Sequence, residues 1–101
     1  MTPQDENEEK DEGEVVRRRV IVTGRVQGVF FRASAAREAA RRRVAGFARN
    51  ERDGSVLLEL EGRAADVDAV LAWCRIGPPH ADVAAVLVED LTPQGTRGFR
   101  A

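Results

Sequence analysis

The apolar residues of this chain change period along its length, and that succession constrains the fold more than any other feature. In the valine- and arginine-rich run Val15 to Thr23, Val16, Val20 and Val22 share one parity, the pattern of a strand with one buried face. Phe31, Ala35 and Ala39 then recur every four residues within Phe31 to Arg43, which describes a helix face. Asp53-Gly54 is a hairpin signal, and behind it Val56, Leu58 and Leu60 share one parity against polar Ser55, Glu59 and Glu61, so this strand pairs back on a shorter one at Val44 to Arg49. Within Ala64 to Arg75, residues Val67, Val70, Leu71 and Cys74 return to helical spacing, and Gly77-Pro78-Pro79 bars any continuation. Val83 to Glu89 supplies a fourth strand, and Arg97 to Ala101 a short terminal one. The order β-α-β-β-α-β predicts an α+β, ferredoxin-like sandwich with two helices on one face of an antiparallel sheet.

At 101 residues there is room for one such domain. Charge divides the chain: residues 1–14 hold seven acids and Lys10, whereas 15–101 hold 15 basic and 10 acidic residues, a net of +5. The first segment has almost nothing apolar to bury and reads as a disordered acidic tail; the remainder is a domain whose sign suits an anionic ligand or a solvated arginine-rich surface. One cysteine, Cys74, and one histidine, His80, supply neither a disulfide nor a zinc ligand set. The acidic start lacks the basic-then-apolar order of a secretory leader, and no apolar run approaches membrane-span length, so the expectation is a cytoplasmic protein without a membrane partner.

The chemistry concentrates where the first strand passes into the first helix, at Gly24-Arg25-Val26-Gln27-Gly28-Val29-Phe30-Phe31-Arg32. Glycine-freed turns aim successive N–H groups at one centre, and a helix N-terminus adds its partial positive charge there. Arg32 offers two phosphate oxygens a planar fork of donors. The segment lacks the Gly-Lys-Ser/Thr ending of nucleotide-binding loops, and the only lysine is Lys10. Cys74 sits on an apolar helix face, away from any anion-binding turn. By spacing alone, an ordinary tight strand-to-helix turn explains the two glycines as readily, and Asn50 reads as a turn residue.

The residue string changes that balance. It is similar to the acylphosphatase signature Gly-Arg-Val-Gln-Gly-Val-x-Phe-Arg, and the resemblance continues through Gly46-Phe47-Ala48-Arg49-Asn50, Asp53-Gly54, Gly62 and Gly77-Pro78-Pro79, covering roughly residues 16–101. The resemblance implies a hydrolase for small-molecule acyl phosphates that needs no cofactor or metal. Arg32 then corresponds to the phosphate-binding arginine and Asn50 to the asparagine that positions water. Arg25, Val26, Gln27, Gly28, Val29, Phe30 and Phe31 form the phosphate cradle. A monomer is expected. The alternative is a catalytically idle ferredoxin-like module binding an anion or nucleic acid; RNA-binding modules of this plan stack bases on strand aromatics, for which only Phe47 and Phe99 are available.

One departure from the pattern falls at Arg42-Arg43-Val44, where the family carries Leu-Gly-Leu. A left-handed Arg43 in place of the glycine would cost roughly 1 kcal/mol, and Arg42 replaces an expected core leucine, so a different end or packing of the first helix is the expectation. Trp73 reads as a packing residue, Cys74 as an inert core thiol, His80 as a loop residue, and Arg17-Arg18-Arg19 as a solvated edge whose members alternate between faces.

Overall fold

Alternating valines extend the first strand, β1, over Val15–Arg25, and the four-residue apolar spacing forms α1 at Phe31–Arg41. The computed structural model describes residues 13–101; the acidic stretch 1–12, read above as part of a disordered tail, lies outside the described residues. There follow β2 (Ala45–Asn50), β3 (Val56–Arg63), α2 (Ala64–Cys74), β4 (Asp82–Leu91) and β5 (Phe99–Arg100). The strand order is β4-β1-β3-β2-β5. The four long strands pair antiparallel, and β5 pairs parallel to β2, so the sheet is mixed at that border. Topology explains the parallel pair: β4 ends at the pole where β2 begins, so a strand that follows it beyond β2 runs the same way as β2.

Both helices cover one face, α1 against β2 and α2 against β1 and β3. Val20, Val22, Ala48, Val56, Leu58 and Leu60 of the sheet meet Phe31, Ala35, Ala39, Val67, Val70 and Cys74 of the helices in one buried core. The Phe31 and Trp73 rings lie 5.2 Å apart in a tilted pair, which joins the two helices beside the start of α1. Burial pushes the Cys74 thiol up to about 12, against a small opposing pull from Arg75, so it stays protonated and unreactive at neutral pH.

The α1 C-terminus shows how the chain closes without the glycine: Arg43 itself takes the left-handed conformation. Its φ is 55°, the Arg43 N–H donates to the Ala40 carbonyl (3.2 Å) and the Val44 N–H to that of Ala39 (2.8 Å). This is a Schellman closure with arginine where glycine is usual. Val44 is buried just past it while Arg42 is exposed, so the helix ends at Arg41, two residues short of the end of the stretch read as helical, and the two arginines are accommodated at the surface.

The reading of Arg17-Arg18-Arg19 as a solvated edge is corrected. The alternation is right, but β1 lies inside the sheet between β4 and β3, and Arg17 is only 4% exposed. Its guanidinium donates to Glu59 Oε1 through Nε (2.9 Å) and Nη2 (2.8 Å), and through Nη1 to Glu61 Oε1 (2.9 Å) and Thr96 Oγ1 (2.9 Å). Glu61 in turn accepts the backbone N–H groups of Gln94 (2.7 Å), Gly95 (2.7 Å) and Thr96 (3.2 Å). Residues 92–98 thus cross the helix-free face as a strap, and the charges beneath it are buried because the strap covers them. Arg18, on the opposite face, reaches Asp68 of α2 at 2.6 Å.

Candidate active site

The glycine-bounded loop gets its shape from three local constraints. The β1–β4 register slips between Thr23 and Gly24, and a side chain at Gly24 would place its Cβ 2.2 Å from the Asp82 carbonyl oxygen, so only glycine fits there. Past that point Val26 and Val29 insert into the core, and Gly28 (φ 76°) and Phe30 (φ 64°) turn the backbone in left-handed conformations on either side of Val29. The side chains at Val26 and Val29 therefore anchor the loop from below. α1 then starts at Phe31 without a side-chain cap, and the Ser34 N–H reaches back to the Phe30 carbonyl at 3.0 Å. The N–H groups of Phe31, Arg32 and Ala33 have no acceptor within the helix, which leaves its positive end facing outward.

Asn50 comes from a different part of the chain, the last residue of β2, paired with Val56 of β3. Its hairpin is closed by the Glu51 N–H to the Ser55 carbonyl (2.9 Å) and the Gly54 N–H to the Glu51 carbonyl (3.1 Å). The Asp53 carboxylate accepts the Ser55 hydroxyl (2.6 Å) and N–H (2.9 Å), bonds that hold its pKa below the ordinary carboxylate value. Gln27 fastens this hairpin to the loop: its Nε2 donates to the carbonyls of Glu51 (2.8 Å) and Ser55 (2.9 Å). Sequence reasoning placed Gln27 only in the cradle, since nothing in the sequence says where an amide between two glycines will point.

Replacing Gln27 with methionine keeps the side-chain length and removes both donors. Urea unfolding is expected to show a loss of about 1–2 kcal/mol. A looser Asn50 is expected to lower kcat about tenfold with a smaller change in KM; an unchanged kcat in a destabilised variant would mean that Gln27 serves the hairpin alone.

These segments enclose an open pocket of about 390 Å³ lined by Val26, Gly28, Phe30, Phe31, Arg32, Ala33 and Asn50. The structure thus brings Arg32 and Asn50 to one cavity, both exposed, and neither side chain has a hydrogen-bond or ion-pair partner among the described residues. Val26 and Phe31 line it while buried in the core, and Phe30 lines it at 79% exposure. Three expected members do not line it. Arg25 lies at the end of β1 opposite Asp82, Val29 is buried beneath the loop, and the Gln27 amide is committed to the hairpin. Ala33, not anticipated from the sequence, does line it; its place one residue after Arg32 in the uncapped first turn was the available signal. His80 is exposed and lies outside the pocket lining. Among the described residues no group of three or more His, Cys, Asp or Glu could hold a metal ion, and no helix is long and apolar enough to cross a membrane.

The family model for acylphosphatase matches residues 18–101, strap and terminal strand included. The chain belongs to the acylphosphatase family. A curated acylphosphatase of Anaeromyxobacter dehalogenans is 52% identical over 83 residues, which are 82% of this chain and 89% of that relative. Among solved structures, an acylphosphatase from Coxiella burnetii superimposes with a TM-score of 0.82 at 32% identity, covering 85% of this chain and 90% of its own. The acylphosphatase from Bacillus subtilis gives the same score and identity over 84% of this chain and 96% of its own. Members of the family are hydrolases of acyl phosphates, and the two-helix, five-strand architecture here matches these structures.

Proposed function

We propose that this acylphosphatase hydrolyses acyl phosphates by seating the phosphoryl group in the 24–30 loop against Arg32 and aligning the attacking water with Asn50. The observation that carries this reading is the meeting of Arg32 and Asn50, from α1 and the end of β2, at one pocket over an uncapped helix N-terminus. The backbone N–H groups of the loop and first turn surround the anion, those of Val26, Gly28, Phe30 and Phe31 belonging to residues that line the pocket. The Arg32 fork takes two non-bridging oxygens. Asn50 both donates and accepts, which suits holding a neutral water in line with the leaving carboxylate. Water oxygen bonds to phosphorus, the phosphorus–acyl oxygen bond breaks, and the carboxylate leaves with the bonding pair. The proton of the water passes to a phosphate oxygen.

A mixed anhydride already has a good leaving group, so positioning and charge stabilisation suffice without a strong base. Because the proton of the water passes to the phosphate itself, the pH dependence of turnover is expected to follow the substrate. Acetyl phosphate hydrolysed in ¹⁸O-enriched water, with chelator present, is expected to carry the label into phosphate. Asn50→Ala is expected to lower kcat about a hundredfold with KM little changed. Label in the acetate, or an Asn50→Ala variant as fast as wild type, would overturn the mechanism; no turnover by the folded protein would overturn the functional reading.

A further inference from the structure

Phe30 is the residue of the loop whose side chain the phosphate cradle does not explain. Its backbone is left-handed (φ 64°, ψ 28°), a conformation that a bulky L-residue adopts at a cost and a glycine does not. A cradle built from N–H groups needs only that backbone. The ring, at 79% exposure, gains little burial in the free protein, so core packing does not account for it either. The other exposed large apolar residues, Val15, Ile76, Leu87 and Val88, all lie outside the pocket lining. Within the lining, Val26 and Phe31 are at most 2% exposed, and Gly28, Arg32 and Asn50 present backbone or polar groups. The accessible apolar surface of the pocket is therefore the Phe30 ring and the Ala33 methyl group, on either side of Arg32 in the chain.

We propose that Phe30 and Ala33 form an apolar shelf that receives the acyl substituent, so that this chain prefers aromatic or other bulky apolar acyl phosphates to acetyl phosphate. This rests on the reading that the pocket binds acyl phosphates, and it adds which acyl groups it selects. Arg32 and the loop address the phosphate shared by every substrate; the shelf touches only what differs between them. A benzoyl ring covers the exposed Phe30 face on binding, whereas an acetyl methyl covers little of it, and aromatic pairs gain beyond the area they bury. Discrimination then scales with the exposed area of the ring at position 30.

The test compares kcat/KM for benzoyl phosphate and acetyl phosphate in wild type, Phe30→Ala and Phe30→Tyr. The ratio within each protein is the readout, because any change in the hold on phosphate acts on both substrates and cancels. The benzoyl-to-acetyl ratio is expected to fall about tenfold in Phe30→Ala and to stay within about twofold of wild type in Phe30→Tyr. The same comparison is made by calorimetric binding of benzoylphosphonate and acetylphosphonate, which cannot turn over. If the protein hydrolyses neither substrate but the phosphonate affinity ratio still falls in Phe30→Ala, the shelf stands and the catalytic reading fails. A Phe30→Ala ratio equal to that of wild type in both measurements would overturn the shelf.

Discussion

Arg32→Ala is expected to lower kcat/KM for acetyl phosphate about a thousandfold, equivalent to about 4 kcal/mol of transition-state stabilisation. The size follows from what the guanidinium supplies: a fixed positive charge and two parallel donors to oxygens that carry the spreading charge of the transferring phosphoryl group. Arg32→Lys keeps the charge without the fork and is expected to recover about tenfold of the loss. Stability separates this role from a structural one. Arg32 is exposed, has no side-chain partner among the described residues, and stands in the first turn of α1, where the helix dipole opposes a cation. Alanine there is a better helix former, so the melting temperature is expected to hold or rise slightly. Added guanidinium is expected to restore part of the activity of the alanine variant. Turnover within about threefold of wild type by Arg32→Ala would remove Arg32 from the mechanism.

The second large effect concerns the ion network under the strap. Arg17→Met leaves Glu61, with 5% side-chain exposure, and Glu59, at 11%, without their principal counter-charge. Removing one partner of a buried pair costs about 3–5 kcal/mol, so the melting temperature is expected to fall by about 15–25 °C. Glu61→Gln removes the carboxylate on which three strap N–H groups converge, and combined with Arg17→Met it is expected to cost less than the two changes added together, since both break one network. Independent, additive losses would mean that Arg17 and Glu61 do not act as a unit.

Acid should reveal the same group. Burial works against the Glu61 charge, but the N–H of Gln94, the Arg17 guanidinium and the N–H groups of Gly95 and Thr96 outweigh it, and the net effect sets its pKa below the ordinary 4.5. A carboxyl with a depressed folded-state pKa contributes stability that is fully present above its unfolded value and is lost as pH falls through the folded one. Wild-type stability is therefore expected to decline as pH drops below about 4.5, and more steeply than that of Glu61→Gln. Equal slopes in acid for the two proteins would locate the titration elsewhere.

Much of this protein was determined by the sequence alone, because its strongest signals are local. Alternation at Val16, Val20 and Val22, four-residue spacing at Phe31, Ala35 and Ala39, and the turn at Asp53-Gly54 each act within a few residues, and together they specify the element order. The string Gly24 to Arg32, with Asn50, identifies the family, whereas the sequence only marked the missing glycine at Arg43 and left open how the helix would close there. Only the tertiary structure decided what depends on distant segments meeting. Arg17 and Arg19 share parity opposite Glu59 and Glu61, yet whether those charges are solvated or buried depends on the strap at Gln94 to Thr96, far along the chain. Gln27 could point to an anion or to a hairpin, and the position of Glu51 and Ser55 settles its side chain. The exposure of Phe30 was equally hidden, since a pattern that repeats along a chain reports which residues can face a core, whereas what lies over the opposite face is set by where the rest of the chain comes to rest.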